Sequence, residues 1–183
     1  MTSHSERDWQ RPPGSFVGRE RELAELRSAL EEIPERGQVF LISGEPGIGK
    51  TRLAEEISRE APSHRMRVVW GRCWEGEGAP AFWPWIQVIR GCVGTTDSPE
   101  RRALLASDAA VAIETVAQIV PELRRPDAKA IRPGAKSDID PDSARFRLLD
   151  SVSTLLRYAA QRAPLAIVID DIHDADKASI EML

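Results

Sequence analysis

Apolar residues are spaced along the chain in two ways, and the spacing predicts which segments are helices and which are strands. Over residues 19–33, leucine and isoleucine recur at three- and four-residue steps, which is typical of an amphipathic helix. Gly37 lies just past its expected end. From Val39 to Ile42 four apolar residues stand together, the size of a fully buried strand. The apolar residues of the first helix are Leu23, Leu26, Leu30 and Ile33.

The rest of the chain continues this alternation. A second helix is predicted from near Gly49 to just before Pro62, because a proline disfavours helical geometry in the residue before it. Asp140 followed by Pro141 is a typical helix start. The stripe predicted for that helix consists of Phe146, Leu149, Val152, Leu156 and Ala159. Further predicted elements are a strand at 67–70, helices at 83–92, 99–105 and 109–120, and a buried strand at Leu165–Ile169.

Strands that alternate with helices predict an α/β fold in which helices cover both faces of a parallel sheet. Residues 1–14 are polar and contain prolines, so we expect a disordered lead-in followed by one domain over residues 15–183. The segment 124–142 is polar and rich in proline, and we expect it to be a long exposed loop.

Composition narrows the functional classes. The net charge of -4 gives no electrostatic footprint for nucleic acid. No uninterrupted apolar run is longer than the five residues of Leu165–Ile169, which is too short to cross a membrane. The N-terminus has no secretory signal, so we expect a cytoplasmic location without direct binding to nucleic acid or membrane. Cys73 and Cys92 lack metal-ligand spacing and are expected to be buried or half-buried thiols.

Residues 44–51 carry the strongest chemical signal. They match the pattern G-x-x-x-x-G-K-[ST] between a predicted strand and a predicted helix. Glycines let the backbone wrap phosphate oxygens, and the helix N-terminus adds partial positive charge. Lys50 is expected to contact the β- and γ-phosphates and Thr51 to ligate Mg²⁺. The sequence therefore predicts binding of ATP or a close relative at Gly44, Glu45, Pro46, Gly47, Ile48, Gly49, Lys50 and Thr51.

A second signal lies at the end of the last predicted strand. Leu165–Ile169 delivers two carboxylates, Asp170 and Asp171, to the strand's C-terminal end, the form of a Walker B motif. Ligands of open α/β sheets bind at that edge. We expect Asp170 to hold Mg²⁺ and Asp171 to orient or deprotonate the attacking water.

Three other features leave alternatives open. The segment Val17-Gly18-Arg19 either borders the nucleotide or is a plain charged helix start. His173 either senses the γ-phosphate or is a loop residue. The tryptophans at positions 70, 74, 83 and 85 either stack on a nucleobase or line a core or an interdomain surface.

Several of these motifs together resemble one family. The chain is similar to the N-terminal ATPase module of the STAND-type AAA ATPases found in large LuxR-type bacterial transcriptional regulators. The resemblance covers nearly the whole chain from Gly14 onward. It is carried by Phe16 to Glu20, Gly44 to Thr51 with Arg52-Leu53-Ala54, Gly71 to Trp74, Pro80, Trp83 to Trp85, and Asp170 to His173.

The resemblance implies an AAA/STAND-like P-loop NTPase with a three-layer parallel sheet that is incomplete at the C-terminus, because the family's sensor strand is missing. It implies that Val17, Gly18 and Arg19 border the adenine and ribose, that Lys50, Thr51, Arg52 and Asp170 lie at the Mg·ATP site, and that ADP and ATP switch the protein between states. The expected partners are nucleotide and C-terminal regulatory and DNA-binding regions, or another chain that completes the sheet. We expect the isolated chain to be weakly stable, because the missing sensor strand would leave buried backbone groups of its neighbours without hydrogen bonds.

Three hypotheses about function follow. The first is an ATP-binding, slowly hydrolysing nucleotide switch module of a STAND-type regulator, in which Lys50 and Asp171 are catalytic. The second is a truncated remnant that binds nucleotide or a partner chain and never hydrolyses. The third is a small-molecule kinase, for which Arg101-Arg102 and Arg124-Arg125 are the candidate lid arginines.

Overall fold

The computed structural model describes residues 18–32, 37–76, 78–94, 98–124 and 140–183. These residues divide into two compact units, residues 1–68 and 69–183, and each is described by itself.

The first unit contains two helices that contact each other. Helix α1 spans Glu20–Glu31 and α2 spans Lys50–Glu60, followed by a single 3₁₀ turn over Ala61–His64. Both helices lie where the apolar spacing predicts them. Leu23, Leu30 and Leu53 are the larger apolar side chains that become buried. Arg27 of α1 donates through Nε to Glu60 Oε2 of α2 at 2.7 Å, which ties the two helices together at their surface.

The predicted strand at Val39–Ile42 is wrong. Residues 37–45 form neither strand nor helix, and the side chains of Val39 and Leu41 are 94% and 78% exposed. A strand acquires its regular geometry from a hydrogen-bonded neighbour. Among the described residues, the sheet contains only the two strands introduced below, so this run has no ladder to join.

The second unit alternates strand and helix as expected. Its first strand begins two residues before the boundary of the units, and its longest helix has 22 residues. The elements are β1 (Arg67–Arg72), α3 (Trp83–Val93), α4 (Pro99–Leu105), α5 (Ala110–Val116), a 3₁₀ turn (Pro121–Leu123), α6 (Pro141–Arg162), β2 (Leu165–Asp170), a 3₁₀ turn (Ile172–Asp174) and α7 (Lys177–Ile180). Helix α5 is shorter than the predicted 109–120, because the chain turns after Val116.

Strands β1 and β2 pair in parallel to form a small sheet. Just beyond β1, the backbone N–H of Cys73 donates to the carbonyl oxygen of Asp170 at 3.0 Å. All six positions of β2 are only half-buried, so the prediction of a fully buried strand is wrong at this point. The helices cover the sheet less completely than two full layers would.

Two apolar clusters stabilise the second unit. The larger cluster packs α3, α4, α5 and α6 together, and the smaller one packs α3 against the sheet. The larger cluster includes Ile89, Ile113, Val116, Val120, Leu148, Val152 and Leu155. The smaller cluster is formed by Val69, Trp85, Val88 and Cys92, with Leu165, Ile167 and Ile169 of β2 packed against it.

Helix α6 begins as predicted, but its buried face differs from the predicted stripe. The Asp140 side chain accepts a hydrogen bond from Ser143 N, which caps the helix. Phe146 is exposed, whereas Leu148 and Leu155 are buried beside Val152. The helix contributes to both clusters, since Leu156 and Ala159 pack against the smaller one. Its apolar face is therefore wider than the predicted stripe and is rotated relative to it.

The described part of the chain is therefore a mixed helix and strand structure with a small parallel sheet. None of its helices combines the length and the apolar character that crossing a membrane requires. The predicted lead-in at 1–14 and most of the predicted loop at 124–142 lie outside the described residues.

Candidate functional site

In the first unit, the glycine-rich loop has the backbone geometry that its sequence requires. Gly44, Gly47 and Gly49 have φ angles of 149°, 78° and 92°, which side-chain-bearing residues rarely adopt. Gly49 is the N-cap of α2 and provides no side-chain cap for it. The first N–H groups of an α-helix have no carbonyl partner within that helix, and this favours an anion at the helix N-terminus.

Lys50, the first residue of α2, folds back over this loop. Its Nζ donates to the carbonyl oxygens of Gly44 at 3.0 Å and Glu45 at 3.1 Å. An ammonium group has three donors, so two hold the loop and one is left to point elsewhere. The ammonium group of Lys50 therefore lies against the backbone of the glycine-rich loop.

Arg19 adds a second cation beside the same loop. It adopts a left-handed conformation with φ 54° at the N-cap of α1, directly after Gly18 at φ 89°. A Cβ built on Gly44 would lie 3.7 Å from Nη2 of Arg19, so the guanidinium lies next to that glycine. The predicted residues Gly18, Arg19 and Gly44–Thr51 are thus gathered in one unit. Val17 lies outside the described residues.

Two other predicted residues of the first unit lie on the surface of α2 or of the loop. Arg52 contacts Glu55 on the same helix through Nη1 and Oε2 at 3.1 Å. Ile48 is half exposed, and its Cγ2 would lie 3.1 Å from a Cβ on Gly44. A side chain at position 44 would therefore press on Ile48 while occupying strained backbone, which explains why the motif needs glycine there.

In the second unit, β2 ends in the predicted carboxylates. Asp170 Oδ1 accepts a hydrogen bond from the N–H of Asp171 at 3.1 Å, and Asp170 Oδ2 lies 3.2 Å from Arg72 Nη2. Asp171 has a left-handed φ of 55°, which aspartate tolerates better than most residues. The chain therefore turns sharply as it leaves the strand, and the two neighbouring carboxylates are presented at its end.

Arg72 was not predicted as a site residue. It is the last residue of β1, and parallel strands end at the same edge of a sheet, so it meets the last residue of β2. The sequence does contain a signal for this contact, because each of the two strands ends in a charged residue of opposite sign. The Arg72 guanidinium neutralises part of the charge of Asp170. The arginine side chain is largely exposed to solvent.

The same edge is strongly acidic. Burial raises the pKa of the Cys73 thiol to about 11, and the carboxylates of Asp171, Asp174, Asp176 and Asp170 add to the effect. A thiol next to several negative charges resists becoming a thiolate. Cys73 and Cys92 are both buried thiols outside any disulfide, as predicted. The negative charges at this edge favour a cation.

The donor atoms at the predicted metal ligands fit Mg²⁺, which prefers oxygen. Thr51 of the first unit carries a hydroxyl and Asp170 of the second a carboxylate. Across the described ranges, no three His, Cys, Asp or Glu side chains are grouped so as to hold a metal ion. The fit therefore rests on ligand chemistry alone.

Asp176 is a further residue whose role the sequence did not reveal. Its carboxylate accepts hydrogen bonds from Ser179 N at 3.0 Å and from Phe82 N at 3.3 Å. Nearby, Trp85 Nε1 donates to the carbonyl oxygen of Ser179 at 2.9 Å. The segment that follows β2 is thereby fastened to the start of α3.

The tryptophans, the histidine and the arginines named as candidates differ in how deeply they are buried. Trp85 lies in the core, which was one of the two alternatives for the tryptophans, whereas Trp74 is 60% exposed. His173 is mostly exposed, with Nε2 3.3 Å from Asp174 Oδ2. Arg101 is buried in α4, where its Nη2 donates to Arg124 O at 3.4 Å, which does not suit the mobile lid of a small-molecule kinase.

The glycine-rich loop lies before α2, and the two carboxylates lie at the end of β2 and directly after it. Residues 15–183 match the AAA ATPase domain family, and the chain belongs to that family. Members of the family generally use ATP or ADP together with Mg²⁺.

One relative is an uncharacterized protein of Rhizobium meliloti (strain 1021), 25% identical over 175 residues, which cover 93% of this chain. The chain spans 17% of the length of that relative. No solved structure matches the chain.

Proposed function

We propose that this chain is an ATP-binding switch module of a STAND-type regulator of the large LuxR class. The observation that carries the proposal is the glycine-rich loop of the first unit. Its positive φ angles, its position at the N-terminus of α2 and its two adjacent cations suit a polyphosphate. Membership of the AAA ATPase domain family supports nucleotide as the ligand.

The proposed roles follow from the chemistry of each residue. Lys50 exchanges its two carbonyl contacts for phosphate oxygens. Arg19, whose guanidinium lies next to Gly44, supplies a second positive charge. The hydroxyl of Thr51 is a proposed Mg²⁺ ligand in the first unit, and the carboxylate of Asp170 is one in the second. Bound Mg²⁺ supplies charge neutralisation of the phosphates. Asp171 is the proposed group that orients the attacking water, and any turnover is expected to be slow.

The second candidate is a module that binds nucleotide without hydrolysing it, and the Arg72 contact supports it. Because Arg72 lies 3.2 Å from Asp170 Oδ2, a cation already faces the carboxylate that Mg²⁺ needs. Asp170 would hold Mg²⁺ only in competition with this guanidinium. We also propose that the module works together with further regions of a longer protein, including DNA-binding ones, and that it is located in the cytoplasm.

Nucleotide binding is tested by calorimetric titration of the folded chain with Mg·ATP and Mg·ADP. We expect saturable binding that Lys50→Ala weakens by about ten- to 150-fold, because one charge-assisted contact contributes about 1.5–3 kcal/mol. Lys177→Ala is the matched control, since it removes the same charge from an exposed position of α7. Circular dichroism confirms that each variant is folded.

A folded chain that ignores both nucleotides contradicts the proposal. Equal weakening by Lys50→Ala and Lys177→Ala contradicts it as well, because the effect is then one of net charge rather than of the loop.

Hydrolysis separates the two candidates. Steady release of phosphate from ATP that disappears in Asp171→Asn supports the switch, because the amide keeps the shape but cannot take a proton. Tight ATP binding without release of phosphate, in the chain and in Asp171→Asn alike, supports the non-hydrolysing module instead.

A further inference from the structure

The second unit contains a cavity that the nucleotide proposal does not use. It has a volume of about 280 Å³ and lies in the connection between β1 and α3. Its described lining consists of Trp74, Gly78, Ala79, Pro80 and Trp83. Two indole side chains and a proline ring are therefore among the groups that line it.

One wall of the cavity is held in place by buried contacts. Trp83 is the first residue of α3, and the two residues that follow it, Pro84 and Trp85, are buried. Trp85 Nε1 donates to Ser179 O at 2.9 Å, and Phe82 N donates to Asp176 Oδ2 at 3.3 Å. These bonds fix the start of α3, so the Trp83 side of the cavity is formed before any ligand arrives.

The other wall is an exposed aromatic side chain that rests on a glycine. Trp74 is 60% exposed, which leaves a large apolar surface in water. A Cβ built on Gly76 would lie 2.5 Å from Trp74 Nε1, so the indole lies directly on the backbone of that glycine. Any side chain at position 76 would push the indole away from its place.

The lining decides what kind of ligand fits. The described lining residues are apolar or aromatic, so they favour a ligand that presents a flat apolar surface. The guanidinium of Arg90 already lies 6.0 Å from the centroid of the Trp83 ring. Arg90 therefore already supplies a cation to one face of that indole, and Glu122 pairs with this arginine.

We propose that this cavity binds an uncharged, planar aromatic ring of a small molecule, which stacks on Trp74 and Trp83. A cavity of this size holds one mono- or bicyclic ring system. A proline-rich peptide is a weaker fit, since it needs an extended groove rather than a single compact cavity. The proposal does not depend on nucleotide binding at the glycine-rich loop.

The test uses the ¹⁵N-labelled chain and follows the indole N–H signals of its five tryptophans during titration with unlabelled indole. We expect saturable shifts of the Trp74 and Trp83 signals. Trp85 should stay in place because its N–H is buried and bonded to Ser179. Stacking on one aromatic side chain is worth roughly ten- to hundredfold in affinity, so Trp74→Ala should weaken indole binding by that factor.

Two more variants make the result specific. Gly76→Ala keeps every tryptophan but displaces the Trp74 indole, and it should weaken binding at least severalfold. Phe146→Ala removes an exposed aromatic residue elsewhere in the same unit and should leave binding unchanged.

Three results overturn the proposal. The first is the absence of shifts up to the solubility limit of indole. The second is binding that Trp74→Ala leaves unchanged. The third is stronger binding of tetramethylammonium or of a decaproline peptide than of indole, which would assign the cavity to a cation or to a proline-rich partner.

Discussion

The two units differ most in how they bury apolar side chains. Among the described residues, the buried hydrophobic side chains of the first unit are Leu23, Leu30, Leu53 and Ala61, whereas the second unit contains two clusters of them. Yet the first unit carries the loop with the strongest chemical signal. A glycine-rich loop with the backbone geometry of this motif can therefore form in a unit with few buried apolar side chains.

Two apolar runs make this difference concrete. Val39–Ile42 and Leu165–Ile169 are alike in sequence, and both are predicted as buried strands. Only the second becomes a strand, because it pairs with β1 and packs on Trp85 and Val88. Val39 and Leu41 remain exposed to solvent. The side chains of the run do not decide its conformation; the neighbours available to its backbone do.

The largest effect is expected from removing the residue on which β2 packs. Trp85→Ala should lower the free energy of unfolding by about 3–5 kcal/mol, because it deletes a buried indole and leaves Ser179 O without its donor. Urea denaturation followed by circular dichroism measures the change. A loss below about 1 kcal/mol would mean that β2 does not depend on the smaller cluster.

A matched pair of truncations tests the two apolar runs directly. Ile167→Ala should cost about 2 kcal/mol, since the side chain packs against the smaller cluster from a half-buried position. Leu41→Ala should change stability by less than about 0.5 kcal/mol, because the leucine is exposed. Both are measured by urea denaturation. Equal costs would show that Val39–Ile42 is packed in solution, and the contrast between the runs would disappear.

The smallest effect concerns the polar contact that links α1 to α2. The hydrogen bond from Arg27 lowers the pKa of Glu60. The stability it adds is present above the ordinary pKa of glutamate and is lost as the pH falls through the lowered value. Glu60→Gln should therefore cost at most about 1 kcal/mol at neutral pH and nothing in strong acid, because both partners are partly exposed.

Urea denaturation at neutral and at acidic pH measures this difference. The control is Glu25→Gln, which changes an exposed glutamate of α1. A cost that persists unchanged in acid would assign the effect to lost packing rather than to the ion pair.

Local signals in the sequence predict much of the secondary structure. The capping Asp140, the proline at position 62 and the three- and four-residue spacing in α1 depend only on nearby residues, and the helices they define lie as predicted. The bounds of α4 agree at both ends, since Ser98 caps the helix directly before Pro99.

Features that depend on distant residues could not be predicted in the same way. The face that α6 buries is set by two clusters on different elements, so the exposed Phe146 and the buried Leu148 could not be assigned from spacing alone. The contact of Arg72 with Asp170 requires the pairing of two strands, and the proximity of Arg19 to Gly44 requires a left-handed turn. The loop at Gly44–Thr51 could be predicted because its geometry is encoded by its own glycines.

The pairing of β1 with β2 has a consequence for how the chain folds during synthesis. Arg72 and Asp170 are 98 residues apart, and a ribosome adds roughly 5–20 residues per second. Strand β1 therefore waits roughly 5–20 seconds before its partner emerges. During that time β1 has no strand neighbour among the described residues, and other nascent chains or a chaperone can engage its unpaired backbone groups. We expect the sheet to close only after translation of β2, with α3 shielding Val69 in the meantime.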